Sequence, residues 1–271
     1  MSSEAPERKE LLKTAFGNQA DEFERQLNEL AKTHFEVYQA KIKAQKPIFQ
    51  ARSEAAKQVK QFWLNALRQC QTTAQFVDPV DEPALNACTN VWIEHDDNDP
   101  RTFEFIMTFS SKNPSFKETE LRRKFTTNPS TKPEDFVAPS QYDLEAPIYL
   151  EPTQPPTWTS SDHDLFKKAP RQDMNDVEEF DEFGGPGSFF WLFHKQTDGE
   201  DDMGMAETLL EWWAHATEYA AGMVEVGDSD EEGLDFDEDD EDDSDEDPTA
   251  EIDLEDDEDD RPKKRSKKNG K

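Results

Sequence analysis

The sequence is poor in the residues that form covalent or metal-bound scaffolds. It has only two cysteines, Cys70 and Cys88, which form no CxxC pair, and its five histidines are scattered without an HExxH motif. These spacings indicate neither a disulfide framework nor a metal site, and we expect a reducing, intracellular compartment.

Long apolar runs are missing as well. No stretch approaches the roughly 20 apolar residues of a membrane span, and the first residues, MSSEAPERKELLK, lack the apolar region of a secretory signal. The sequence also contains no phosphate-binding loop and no evident pairing of a nucleophile with a base. We therefore expect a protein that does not bind membranes, needs no cofactor and is not an enzyme.

Negative charge dominates what is present. The chain has 63 acidic and 30 basic side chains, which gives a net charge of −33. Residues 228–260 hold 23 acidic side chains and no Lys or Arg, and residues 261–271 hold seven basic ones. Residues 1–227 still carry −17, because they have 40 acidic and 23 basic side chains. Nucleic-acid phosphates would be repelled by such a chain, so we expect no direct nucleic-acid binding.

The aromatic residues are distributed in the opposite way. Of 29 aromatic residues only Phe236 lies beyond residue 227. The body of the chain can therefore bury a core, whereas residues 226–271 cannot offset the entropy lost on ordering and are expected to be disordered.

Apolar residues recur at steps of three and four over residues 16–49. This period predicts a helix of about 30 residues, or roughly 45 Å, which Pro47 should end or kink. The apolar side of so long a helix must be buried along most of its length. We therefore favour a coiled-coil-like homodimer over a helix that packs only on its own domain. The residues assigned to the dimer interface are Phe23, Leu27, Leu30, Phe35, Tyr38 and Ile42.

Further helices are predicted on both sides of the chain's centre. Residues 50–70 show a second apolar face, and a short helix should start at Glu82 with Pro83 in its first turn. Near the end, Ser188 is the predicted N-cap of one helical piece, and a last helix should end at Gly222.

The apolar period changes to two in the middle of the chain. Phe103, Phe105, Met107 and Phe109 alternate with other residues, which predicts a strand with one buried face, and residues 90–95 are its predicted hairpin partner. LRRKFTT and YDLEAPIYLEP are further strand candidates, the latter at a sheet edge because it contains Pro147. Helices, then an antiparallel sheet, then helices make an α+β fold.

Several of these pieces, in this order, resemble the nucleosome assembly protein family of histone chaperones, and especially its SET-like branch. The first similarity is to the junction that follows the family's long helix. It consists of Tyr38, a basic-rich stretch, Pro47, Phe49, ARSE (51–54) and FW (62–63). FEFIMTFSSKNPSF is similar to a strand leading into an Asn-Pro-x-Phe motif, and SFFWLF followed by ATEYAAG resembles the SET-type helical pair. The Pro-rich residues 129–165 and the basic terminus depart from the pattern.

The resemblance implies a homodimer of long antiparallel helices, each carrying an α/β "earmuff" domain whose acidic underside receives core histones. Four regions are expected: an N-terminal segment 1–17, the dimerisation and connecting helices 18–75, the earmuff domain 76–225 and the acidic tail 226–271.

Acidic clusters within the body are the candidate histone-binding sites, since histones held away from DNA need a substitute for its phosphates. EHDDND (94–99) is more simply explained as a solvated hairpin turn, and the aromatic residues of SFFWLF and LLEWW as core. The predicted histone-binding residues are Glu178, Glu179, Asp181, Glu182, Asp198, Glu200, Asp201, Asp202, Glu207, Glu211 and Glu218.

The tail is read as an auxiliary to these clusters. Ser229 and Ser244 stand in acidic surroundings that suit an acidophilic kinase, although they serve equally well as spacers. PKKRSKK has the density of a nuclear-import signal, which predicts a nuclear protein that could also shuttle to the cytoplasm, and it could fold back on the acidic run. The residues of this signal are Lys263, Lys264, Arg265, Lys267 and Lys268.

Two other function classes stay open at the level of sequence. One is a regulatory subunit that presents histones to a histone acetyltransferase or inhibits a phosphatase. The other is an enzyme, which the missing catalytic motifs disfavour.

Overall fold

The computed structural model describes most of the chain before the acidic tail. The described residues are 4–134, 136–171, 187–195, 199–201 and 203–223. The predicted domain boundaries stay predictions.

Two helices open the described chain, α1 (Glu4–Phe16) and α2 (Ala20–Ala56), joined by a short 3₁₀ turn. Gly17 in this turn has φ 53°, a left-handed conformation that glycine adopts without strain. It lets α1 fold back along α2, where Phe16 packs on Phe23 with ring centroids 4.6 Å apart.

Of the two outcomes expected at Pro47, an end or a kink of the helix, α2 excludes the first. The helix does not end there but continues for nine residues to Ala56. Proline removes one backbone donor from the helix, and side chains beyond it compensate by packing on the body of the protein: Phe49 lies 4.2 Å from Trp213 between ring centroids, and Ala56 is buried.

The predicted second helix over 50–70 is interrupted. After α2 the chain turns and starts α3 (Phe62–Gln69) from Gln61, whose φ of 59° ends helical continuity. Val59, an apolar residue of this stretch, is 54% exposed. Two short helices follow, α4 (Gln71–Ala74) and α5 (Glu82–Leu85), and the latter begins at Glu82 as predicted.

The centre of the body is a five-stranded antiparallel sheet in the order β1-β2-β3-β4-β5. The predicted hairpin is confirmed, with Asn90 opposite Thr108 and His95 opposite Phe103. The strands are β1 (Cys88–His95), β2 (Phe103–Phe109), β3 (Glu120–Thr126), β4 (Tyr149–Leu150) and β5 (Gly199–Glu200).

The position of β4 corrects a second prediction. This strand pairs with β3 on one side and β5 on the other, so it is not an edge strand. Pro147 does not conflict with this position, because it precedes the two paired residues and no ladder hydrogen bond needs its nitrogen.

The described residues after β4 include the helices α6 (Leu165–Lys168), α7 (Met205–Ala214) and α8 (Ala216–Ala220). A 3₁₀ turn, Phe189–Phe193, precedes α7, and Ser188 caps it as predicted by accepting a hydrogen bond from the Phe190 amide. Gly222 follows the last helix with φ 64°.

Aromatic side chains from sheet and helices form one core. The four alternating residues of β2 are all buried, and so is most of the 3₁₀ turn, including Phe190 and Phe193. Trp63 of α3 and Trp212 of α7 lie beneath the sheet with ring centroids 6.1 Å apart. The prediction that the aromatic residues of SFFWLF and LLEWW belong to the core is confirmed except for Trp191, which is half-buried.

A buried carboxylate connects two distant turns of this core. Asp81 is fully buried and accepts hydrogen bonds from the Ser188 hydroxyl (2.5 Å), the Phe189 amide (2.7 Å) and the Asp78 amide (3.1 Å). Burial raises the pKa of Asp81 to about 6, and the three hydrogen bonds limit that rise.

Candidate functional site

The predicted acidic site is described only in part. Asp201 and four other positions around β5, α7 and α8 can be placed, whereas six carboxylates lie outside the described residues. These six are Glu178, Glu179, Asp181, Glu182, Asp198 and Asp202.

Asp201 has a structural role that sequence reasoning did not assign. Its two carboxylate oxygens accept hydrogen bonds from the amides of Met205 (3.0 Å) and Ala206 (2.6 Å), which are the first residues of α7. A carboxylate at a helix N-terminus satisfies unpaired donors and complements the helix dipole. Asp201 therefore positions α7, and its oxygens are already occupied.

Glu207 and Glu211 lie one turn apart on the exposed side of α7. The opposite side of this helix buries Leu209, Trp212 and Trp213, so packing fixes the direction of the two glutamates. Within the described part of the chain neither carboxylate has an ion-pair partner, and Glu200 of β5 is likewise exposed without one.

Glu218 does not lie on the same helix as Glu207 and Glu211, although the sequence predicted one helix ending at Gly222. The predicted single helix is interrupted at His215, and Glu218 belongs to α8. It is half-buried, and its carboxylate lies 3.6 Å from the His215 ring nitrogen.

The acidic hairpin turn between β1 and β2 is engaged locally. Asp96 accepts hydrogen bonds from two amides of the turn, and Asp99 binds the side chain of Arg101. Burial alone would raise the pKa of Asp99, but the hydrogen bonds and charge of Arg101 outweigh it and hold that pKa below its ordinary value. Glu94 accepts from Lys46 (2.5 Å) and from the Trp92 indole (2.6 Å). These contacts favour the hairpin interpretation of EHDDND.

The predicted dimer residues fall on two sides of α2. Phe35 is 5% exposed, because it packs against Tyr142 (5.7 Å between ring centroids) and under the guanidinium of Arg101. Tyr38 packs edge-on to His95, and Ile42 lines the same interface between α2 and β1. These three therefore contact the body of their own chain.

The remaining three, Phe23, Leu27 and Leu30, are 37%, 39% and 51% exposed. Two further apolar residues of α2, Val37 and Ile48, are 63% and 65% exposed. At 100° per residue these five side chains fall within an arc of about 80° on one side of the helix. Ile48 was missed because it does not belong to the series of three- and four-residue steps that reaches Phe49.

Arg52 anchors α2 to α7, a contact that the sequence did not reveal. Its guanidinium donates to the backbone oxygens of Trp213 (2.5 Å) and Ala214 (3.2 Å) at the C-terminal end of α7. It also lies over the rings of Phe49 and Trp213, at 4.5 and 4.7 Å from their centroids. Burial lowers the pKa of Arg52 to about 10, against the opposite effect of Glu218.

The described residues contain neither a candidate membrane-spanning helix nor a candidate metal site. None of their helices has the length and apolar character needed to cross a membrane. Among the same residues, no cluster of three or more His, Cys, Asp or Glu side chains could hold a metal ion.

Comparisons with known proteins identify the family and the fold of the chain. A family model described as nucleosome assembly protein (NAP) matches residues 3–258. The crystal structure of Ccp1 has a TM-score of 0.52 and 19% identity, covering 78% of this chain and 100% of that chain. The crystal structure of Vps75 has a TM-score of 0.51 and 16% identity, covering 74% and 97%. At such identities the likeness concerns the fold. No curated protein sequence matches the chain.

Proposed function

The chain belongs to the nucleosome assembly protein family, and from this premise we propose that it is a histone chaperone. In this role it binds core histones through acidic surfaces, prevents non-specific histone–DNA contacts and promotes nucleosome assembly. The observation that carries the proposal is a family match over nearly the whole chain combined with exposed carboxylates on a packed helix, which have no ion-pair partner among the described residues.

Electrostatics explains why such a surface suits histones. Histones are strongly basic and bind DNA phosphates, so a protein that holds them must offer carboxylates to the same Lys and Arg side chains. The body of this chain carries −17 before the tail is counted. Affinity should fall with added salt, as it does for charged groups that release counterions on binding.

The proposed histone surface is centred on α7. Glu207 and Glu211 project from a helix whose other side is locked in the core, and Glu200 lies in the strand that precedes it. Rigid carriers hold charges in place and so reduce the entropy lost on binding. The acidic segments 178–182 and 198–202 both precede α7 in the sequence and are included as proposed contacts, with Asp201 as a positioning residue. The tail acts as an auxiliary that raises the capture rate.

A homodimer is part of the same proposal. The apolar stripe formed by Phe23, Leu27, Leu30, Val37 and Ile48 runs along α2 over 25 residues, or roughly 38 Å at 1.5 Å per residue. Exposed apolar residues that follow one side of a helix at this length are typical of a helix–helix interface. A second copy of α2 in antiparallel orientation would cover the stripe.

Nuclear localisation through residues 262–268 and phosphorylation at Ser229 or Ser244 are further parts of the proposal, resting on sequence alone. The acetyltransferase or phosphatase partner stays a prediction from the family resemblance.

The experiment that tests the function is assembly of nucleosomes on plasmid DNA. Purified full-length protein, core histones and relaxed plasmid with topoisomerase should give negative supercoils at a salt concentration where histones and DNA alone aggregate. If supercoiling is no greater than with an unrelated protein of equal acidity, the chaperone function is refuted.

A further inference from the structure

An aromatic cluster reaches the surface on the part of the body formed by α6 and the Phe189–Phe193 turn. Phe166 lies at its centre, with ring-centroid distances of 4.9 Å to Trp158, 5.0 Å to Trp191 and 4.6 Å to His194. All four rings are only half-buried. Trp191 is held in place by a hydrogen bond from its indole to the Ala169 carbonyl at 3.0 Å.

Basic side chains surround these rings. Lys167 and Lys168 follow Phe166 in α6, Arg171 comes three residues later, and Lys195 follows His194, all with exposed side chains. Only Lys167 has a carboxylate partner in the described structure, Asp164 at 2.8 Å. Such a group is unusual in a chain with twice as many acidic as basic residues, where many described cations are paired.

Lys195 and Arg123 both lie close enough to His194 to act on its charge. Burial, followed by the charges of Lys195 and Arg123, lowers the pKa of His194, while Asp164 acts in the opposite direction. The rings offer apolar faces and the lysines offer charge, which together suit an anionic ligand with an apolar or aromatic group.

We propose that this surface, the aromatic–basic patch (Trp158, Phe166–Lys168, Arg171, Trp191, His194 and Lys195), binds a short acidic peptide segment of a partner protein that carries an aromatic side chain among its carboxylates. A peptide fits better than a nucleic acid, because a chain of net charge −33 repels a long polyanion more strongly than a short one. The patch would let a chaperone that holds basic proteins on one surface recruit an acidic partner on another.

The test is fluorescence anisotropy with the full-length protein and a labelled peptide of about ten residues, rich in Asp and Glu with one central Phe. We expect saturable binding at low salt. The variant Lys168→Glu/Lys195→Glu should weaken it by about tenfold or more, because two attractive contacts become repulsive. The matched control, Lys41→Glu/Lys43→Glu on α2, makes the same change in net charge away from the patch and should weaken binding by less than about threefold.

Replacing the peptide's Phe by Ala should also weaken binding, by about threefold or more, if it stacks on the rings. Equal losses in the two double variants would mean a general charge effect and would overturn the proposal, as would an absence of binding.

Residues 172–186 carry six carboxylates and are the competing occupant. One variant replaces these six carboxylates by amides, and a control variant replaces the six carboxylates of residues 237–242 in the same way. If the first variant binds the peptide far more tightly than the control does, the patch serves this chain's own segment, and the partner proposal is wrong. Thermal unfolding of each variant checks that it is folded.

Discussion

Neutralising the buried carboxylate Asp81 should change how the stability of the fold depends on pH. The pKa of this group is about 6 in the folded chain, against about 3.9 for an aspartate in an unfolded chain. The folded state therefore binds the proton more tightly, so the stabilisation from protonation is complete below about pH 4 and is lost as the pH rises through about 6. Between about pH 5 and about pH 7.5 this loss amounts to about 1.4 kcal/mol.

The Asp81→Asn variant cannot titrate at this position. We expect it to be destabilised at every pH, because its amide nitrogen faces the donors that Asp81 now accepts from. The informative quantity is the difference in free energy of unfolding between the wild type and Asp81→Asn, which should be about 1.4 kcal/mol larger at pH 5 than at pH 7.5.

Urea unfolding followed by the fluorescence of the buried tryptophans Trp63 and Trp212 measures this difference. Asp162→Asn, at an exposed position, is the control and should show no such pH dependence. A wild-type advantage over Asp81→Asn that is constant across this range, or that shrinks at pH 5, would refute the reasoning.

Two further predictions concern the dimer and the core. Leu27→Glu/Leu30→Glu should be monomeric by light scattering at micromolar concentration, since it places charges in the apolar stripe. Asn28→Glu/Gln50→Glu adds the same charge at exposed positions on the opposite side of α2 and should stay dimeric, and a dimeric leucine variant would contradict the interface. Arg123→Ala should lower the free energy of unfolding by roughly 2–5 kcal/mol, because the buried guanidinium donates to the carbonyls of Glu151 (2.5 Å) and His194 (3.3 Å). Urea unfolding with Lys124→Ala as control measures this, and a loss below about 1 kcal/mol would argue against the role.

Local patterns in the sequence predicted much of the fold because they report local physics. The period of two in β2, the proline after Glu82 and the capping hydroxyl of Ser188 each concern residues close in sequence, and each prediction is confirmed. The long period of α2 predicted a helix, although one of the two outcomes expected at Pro47, an end of the helix, does not occur. Packing of Phe49 and Arg52 on the body outweighs the one lost hydrogen bond, and no local signal shows that packing.

Non-local pairings escaped prediction for the same reason. Strand β5 consists of only two residues, Gly199–Glu200. Two residues are too few to show a period, so no local signal predicted that this strand would pair with β4. In the sequence, Asp201 is one more member of an acidic run. Its role in capping α7 is visible only in the structure, where the first amides of the helix donate to its carboxylate. Likewise Phe35 belonged to the apolar stripe by spacing, and its burial depends on Tyr142, over 100 residues away.

The central claim is that a placed acidic surface of the body, rather than the tail alone, binds histones. Its most direct test is equilibrium binding of core histones, at moderate salt, to the chain truncated to residues 1–225. We predict that the truncated chain keeps salt-dependent affinity and that Glu207→Gln/Glu211→Gln weakens it by about tenfold, or about 1.4 kcal/mol. The control Glu36→Gln/Glu145→Gln removes the same charge from exposed positions elsewhere and should have little effect. Loss of all affinity on truncation, or equal weakening by both double variants, would contradict the account.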